Sequence, residues 1–248
     1  MTGLASIATT GPTEATGPAA VRVSVGVLLA IDTATSRCIV AMGGLDGRLL
    51  GEITWPADHR HTASLLPAIA RVLDEGAQSA DRLAGIVVGT GPGAFTGLRV
   101  GLATAKTLAH ELARPIAGVS TADALLASAS VAIPGEAGFV LLLPAGPSDR
   151  VLIRPGQPPQ LLLGGLDPEL EPGEALVAVD LPGRAPDDAI ERGRLALSGI
   201  GPALLRMGAP RIANGQPDDL DTLVPEYVTM PRGVRSMAGE IEWSRDPR

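Results

Sequence analysis

Leu83-Ala84-Gly85-Ile86-Val87-Val88-Gly89, followed at once by Thr90-Gly91-Pro92-Gly93-Ala94-Phe95-Thr96-Gly97-Leu98-Arg99, reads as a buried strand that runs through a tight glycine loop into a helix. The helix expected over 96–113 sets Leu98, Leu102, Ala105, Ala109 and Leu112 on one stripe. Thr96 is its expected N-cap and Pro115 its stop. Upstream, the apolar run Val27–Ile31 ends at Asp32. Arg37–Met42 resumes after a polar turn, and Asp46-Gly47 signals a hairpin before Arg48–Thr54. This is a three-strand meander. Leu65, Leu66, Ile69, Val72 and Leu73 then follow helical spacing up to Gly76, and Pro67 requires that helix to begin within a turn of it. Downstream, Ile116–Val119 reads as a strand and Ser120–Ser130 as a helix capped by Ser120 or Thr121. The order β-β-β-α-β-α-β-α predicts an α/β fold whose sheet is half antiparallel and half parallel.

Past Pro134, Phe139–Leu143, Val151–Arg154 and Gln160–Leu163 predict a second, shorter meander. Leu176–Val179 is a further strand, and Ala189–Met207 a helix weakened by Gly193, Gly199, Gly201 and Pro202. The second half is thus a reduced echo of the first in element order. The expected organisation is a disordered extension over 1–25, a first lobe over 26–132, a smaller second lobe over 133–232 and a disordered, Arg-rich tail over 233–248.

The chain has 248 residues, 45% hydrophobic but only 2% aromatic, so its core must be built from Leu, Val, Ile and Ala. A net charge of −7 gives no broad basic footprint for nucleic acid. The single cysteine, Cys38, excludes an internal disulfide framework and a cysteine-based zinc site. No apolar stretch approaches the ~20 residues of a membrane span. Residues 1–25 lack a basic start followed by an apolar block, so the expectation is a cytoplasmic protein without a signal peptide.

Two segments can carry chemistry. Asp32-Thr33-Ala34-Thr35-Ser36 puts a carboxylate and hydroxyls at a strand end, suited to a metal-bound phosphate. The Gly91–Gly97 loop offers backbone N–H groups at a helix start, suited to an anion. Asp32, Thr33, Thr35, Gly91, Gly93 and Thr96 are the candidate phosphate residues. The competing reading gives the glycines to tight turns and close helix–sheet packing. Neither G-x-G-x-x-G nor a P-loop lysine is present.

Asp32-Thr33-Ala34-Thr35, His61-x-x-x-Leu65-Leu66-Pro67 and Gly91-Pro92-Gly93-Ala94-Phe95-Thr96-Gly97-Leu98-Arg99-x-Gly101 closely resemble the TsaB (YeaZ) family over about residues 27–125. Pro225-x-Tyr227, with Met230 and Arg232, is more loosely similar to the family's closing segment. The resemblance implies a two-lobed fold of the actin/Hsp70/sugar-kinase (ASKHA) type with mixed sheets. It also implies a non-catalytic subunit in the formation of threonylcarbamoyladenosine in tRNA. Such a protein would dimerise with and stabilise a TsaD-type catalytic subunit, be joined by a TsaE-type ATPase, reach tRNA only through the complex, and form a homodimer alone.

By the same resemblance the association surface lies on the two helices at 62–75 and 96–113, through His61, Leu65, Leu66, Ile69, Gly97, Leu98, Gly101, Thr104, Ala105 and Leu108. The alternative for Gly101 is that it accommodates the chain's own sheet. No catalytic residue and no metal are expected; His59 and His61 are two apart, and His110 is distant. No cofactor is expected to bind tightly, and ATP or ADP with Mg²⁺ is admitted only at an assembled interface. The phosphate residues would then be vestigial. In the second lobe, Leu143–Arg150 departs from the Asp-Ala-Arg strand start that the family usually shows.

Two other readings compete. One is an ATP-dependent small-molecule kinase or ATPase of the same fold, with Asp32 holding Mg²⁺ and the Gly91–Gly97 loop the phosphate. The other is a peptidase, for which no nucleophile elbow, Cys–His pair or H-E-x-x-H exists. Arg99 opposes the dipole of its helix and would sit better against an acidic partner or an anion.

Overall fold

The computed structural model describes residues 26–57, 61–135, 138–228, 234–237 and 240–243. The extension over 1–25, His59, Met230 and Arg232 lie outside them.

The first sheet has five strands: β1 (Val27–Asp32), β2 (Arg37–Gly44), β3 (Leu49–Pro56), β4 (Leu83–Gly89) and β5 (Ile116–Val119). Their order is β3-β2-β1-β4-β5. β1 pairs antiparallel with β2 and β2 with β3, whereas β1–β4 and β4–β5 are parallel. The mixed sheet expected from the element order is present. Helices α1 (His61–Glu75) and α2 (Phe95–Glu111) cover one face; on the other side α3 (Thr121–Ala132) joins the core, and the helix at Ile200–Ala213 packs directly on the strands. The alternation along β1 decides this: Val27, Leu29 and Ile31 join the core with α1 and α2, Leu28 and Ala30 the core of the opposite face.

The second sheet runs β8-β7-β6-β9, from β6 (Phe139–Pro144), β7 (Arg150–Ile153), β8 (Gln160–Leu162) and β9 (Ala175–Ala178). With β6–β9 parallel and the other pairs antiparallel, it repeats the β3-β2-β1-β4 part of the first sheet. The echo seen in element order is an echo of topology.

Three expectations about helices and the tail are corrected. The helix read over Ala189–Met207 is two, α4 (Asp187–Ser198) and α5 (Ile200–Ala213), which break at Gly199. Pro67 sits seven residues into α1 rather than in its first turn, because the burial of Leu65, Ala68, Ile69 and Val72 holds both sides of it helical. The tail carries a two-stranded antiparallel ribbon, β10 (Val234–Met237) with β11 (Glu240–Trp243).

The boundary drawn at 132/133 does not divide the packing. Helix α5 follows the second sheet in sequence but lies on β1, β2, β4 and β5 of the first. Leu204, Leu205 and Ala209 share one core with Leu28, Ala30 and Val87 of the first sheet and Leu141, Val151 and Val177 of the second. Two sheets with one helical layer between them therefore form a single hydrophobic unit.

Candidate functional site

Asp32 ends β1 fully buried. Its Oδ1 accepts the Ala34 N–H at 2.9 Å and its Oδ2 accepts the Thr121 hydroxyl at 2.7 Å. Thr121 begins α3, and its hydroxyl oxygen in turn accepts the Gly91 N–H at 3.0 Å. Burial pushes the Asp32 carboxyl up to about 6; the Thr121 and Ala34 hydrogen bonds oppose this, and the negative charge of Asp180 adds to it. Asp180 stands just past β9 at a φ of 60° and reaches across from the second sheet. Its Oδ2 accepts the Ser36 N–H at 2.8 Å, its Oδ1 is buried without a partner, and burial raises its own pKa.

The glycine loop is seated on this turn. Ala94 N–H donates to the Ala34 carbonyl at 2.6 Å, and the Thr33 hydroxyl donates to the Gly97 carbonyl at 2.7 Å. A Cβ at Gly93 would stand 2.1 Å from the Ala34 oxygen, one at Gly97 2.0 Å from the Thr33 oxygen, and one at Gly89 1.8 Å from Asp32 Oδ2. The glycines serve the close approach of backbone to backbone, which is the packing alternative raised from sequence. The Thr35 hydroxyl is likewise spent, donating to the Arg37 carbonyl at 3.1 Å. Thr96 is exposed in the first turn of α2 and is not its cap. The Ala94–Ala34 pairing starts the helix earlier, at Phe95, with Ala94 as a cap lacking any side-chain bond. Ser120 does cap α3, accepting from Asp123 N–H at 3.4 Å.

Asp32 has no exposed surface, and each of its carboxylate oxygens accepts one hydrogen bond from inside the protein. Among the described residues no group of three His, Cys, Asp or Glu side chains is placed to hold a metal ion. A cleft of about 440 Å³ is lined by Ser120, Asp123, Arg154, Gln157, Glu226 and Tyr227 among others.

The closing segment crosses back over the first lobe. Thr90 and Glu226 exchange two bonds, hydroxyl to carboxylate at 2.6 Å and amide to carbonyl at 2.7 Å. Tyr227 packs on Phe95 with centroids 5.2 Å apart, and its hydroxyl accepts from Arg99 Nε at 3.1 Å. Arg99 itself stacks over the Phe95 ring at 3.9 Å. The cation assigned from sequence to a partner or an anion is used within the chain.

The residues proposed for an association surface divide. Leu65, Ile69, Gly97, Leu98, Gly101 and Ala105 are buried against the chain's own sheet and the Thr33 turn, because the stripe that anchors α1 and α2 is the stripe that periodicity detects. Leu66 is 57% exposed, and Thr104 and Leu108 are half-buried. The side chain of His61 lies outside what is described. Sequence reasoning missed Thr121 as the hub of the Asp32 network, and missed Asp180 and Glu226 altogether. The run Val177-Ala178-Val179-Asp180 repeats the strand-then-aspartate signal of Leu29-Ala30-Ile31-Asp32 and was a legible clue.

The paired β3-β2-β1-β4 motifs and the strand-end aspartate under a glycine loop define a two-lobed α/β protein of the ASKHA class. A family model described as "TsaD: tRNA N6-adenosine threonylcarbamoyltransferase" matches residues 54–157. The tRNA threonylcarbamoyladenosine biosynthesis protein TsaB of Bacillus subtilis is 36% identical over 101 residues, 41% of this chain and 44% of that protein. An uncharacterized protein of Mycobacterium leprae is 41% identical over 102 residues, 40% of this chain and 28% of that one. The chain thus spans half or less of the length of the curated relatives it matches. The solved structure of YeaZ from Pseudomonas aeruginosa superimposes with a TM-score of 0.57 at 24% identity, over 82% of this chain and all of that one. The sequence likeness to the TsaB proteins is concentrated in the first lobe, and the likeness to YeaZ is one of fold. No helix of the described residues is long and apolar enough to cross a membrane.

Proposed function

We propose that this chain is a cytoplasmic, non-catalytic scaffold subunit in the formation of N6-threonylcarbamoyladenosine in tRNA. It associates with a TsaD-type catalytic subunit, meets a TsaE-type ATPase and tRNA in the assembled complex, and forms a homodimer when alone. Nucleotide and Mg²⁺ enter only at an assembled interface. The observation that supports this reading is the complete burial of the Asp32 carboxylate, whose oxygens accept hydrogen bonds from Ala34 and Thr121. A carboxylate with no exposed surface is poorly disposed to hold Mg²⁺, which usually keeps several waters. This counts against the kinase reading, whereas the TsaB-like sequence of the first lobe favours the scaffold.

The association surface in this proposal is narrower than the one drawn from the helix stripe. Leu66 on α1, with Thr104 and Leu108 on α2, keeps exposed area that a partner helix would cover. The experiment is co-expression with the TsaD-type subunit of the same host, followed by size-exclusion chromatography. Co-elution that Leu66→Arg abolishes, with the circular dichroism unchanged, supports the scaffold role and its surface. Separate elution of the two wild-type chains at micromolar concentration overturns it. Tight ATP binding by the isolated chain, lost in Asp32→Ala, would establish the kinase or ATPase reading instead.

A further inference from the structure

The loop joining β8 to β9 carries Leu163, Leu166 and Leu170 at 58%, 65% and 44% exposure. Single exposed leucines are ordinary, but three within eight residues are a patch that a soluble surface normally avoids. The loop is not loose. Arg150, almost wholly buried on β7, donates to the carbonyls of Gly165 and Leu166 and, from its other terminal nitrogen, to that of Arg184 at 2.7 Å. Arg154 pins the far end, donating to the Glu169 carbonyl at 2.8 Å and to Glu174 at 2.6 and 2.9 Å. Pro168 and Pro172 stiffen the stretch between.

Two arginine cages thus fix a loop whose apolar side chains face outward, where a collapsing chain would have turned them in. Fixing them beforehand lowers the ordering cost of binding. Asp167, Glu169 and Glu171 lie among the leucines and are exposed; Asp167 also accepts from Arg150 at 3.3 Å, so Glu169 and Glu171 carry most of the free negative charge. A cleft of about 540 Å³ opens beside Leu170, with Leu176, Pro186 and Ala189 on its walls together with Glu174, Asp188 and Arg192.

We infer that the 163–171 loop is a docking surface for a protein segment that carries aliphatic side chains among lysines or arginines. The leucines and the cleft take the aliphatic anchors, and the three carboxylates select the cations. The surface is remote in sequence from α1 and α2, so its test is independent of the scaffold reading.

The test uses the full chain and a fluorescein-labelled amphipathic peptide of about 15 residues built from leucine and lysine, with its leucine–glutamate counterpart as control. Anisotropy should show the lysine peptide binding at least about tenfold more tightly than the glutamate peptide. The triple variant Leu163→Ser, Leu166→Ser, Leu170→Ser should weaken it by about tenfold or more at unchanged melting temperature. The double variant Glu169→Lys, Glu171→Lys should reverse the preference between the two peptides. Binding that survives the triple variant would reduce the effect to the net charge of the chain and overturn the inference, as would no binding at millimolar peptide. A wild-type dimer that the triple variant dissociates in sedimentation equilibrium would assign the face to a second copy and overturn it equally.

Discussion

The hydroxyl of Thr33 occupies the space in which a side chain at Gly101 would begin: an ideal Cβ there stands 2.2 Å from Thr33 Oγ1. That hydroxyl is held in place by its bond to the Gly97 carbonyl, so it cannot swing aside without breaking a buried hydrogen bond. One turn of loop and one turn of helix are locked at this point, and small residues spaced four apart on α2 are explained without any partner.

Gly101→Ala is therefore expected to destabilise the chain by about 1–3 kcal/mol through overpacking. Thr33→Ala in the same chain removes the obstructing oxygen, so the double variant should lose less than the sum of the singles. Urea denaturation of the four species measures the coupling. Additive losses would mean that the two residues do not meet.

Asp32 makes stability depend on pH. The unfolded chain releases this proton near 3.8 and the folded chain near 6, so folding favours the protonated form. The stability that this form contributes is fully present below 3.8 and is lost as the pH climbs through 6. The difference is worth roughly 3 kcal/mol. Asp180 acts in the same direction. Asp32→Asn should flatten the fall in melting temperature across this window, and an unchanged profile would show that Asp32 is not the group responsible.

Thr121→Val removes the hydroxyl that donates to Asp32 and accepts from Gly91. Losing the donor leaves a buried carboxylate less satisfied, so the variant should cost about 2–3 kcal/mol near pH 8. The cost should shrink below pH 5, where the carboxyl is protonated. Chemical denaturation at the two pH values reads the difference directly.

Arg150 holds the loop after β8 through a fan of carbonyl bonds that no shorter cation spans. Arg150→Lys and Arg150→Ala should each lose about 2–4 kcal/mol, the alanine more. Hydrogen exchange at the Leu166 amide, bonded to the Leu163 carbonyl at 3.1 Å, should quicken in both. An unaltered exchange rate would mean that the loop stands without its arginine.

Most strands and helices of this protein were legible in its sequence because each carries a local signal: β-branched runs closed by glycine, apolar residues at helical spacing, a capping serine at 120. The same locality explains the errors. Gly199 was weighed as a weakness in one helix and is the joint between two. The stripe Leu65, Ile69, Gly97, Gly101 and Ala105 was given to a partner, yet periodicity reports only that a face is buried, not what buries it. The packing crosses the lobe boundary for a related reason, since α5 returns to the first sheet after the chain has built the second, and no local pattern records a return.

The sequence by itself determined the order of elements, the mixed character of the first sheet, the all-aliphatic core and the strand-end aspartate with its glycine loop. These depend on spacing and composition over a few residues. Tertiary structure alone decided that the glycines close on the Thr33 turn, that Thr121 and Asp180 surround Asp32, and that Arg150 pins a leucine-bearing loop. Each of these joins positions between 15 and 144 residues apart in the chain, and only packing brings such groups within hydrogen-bonding range.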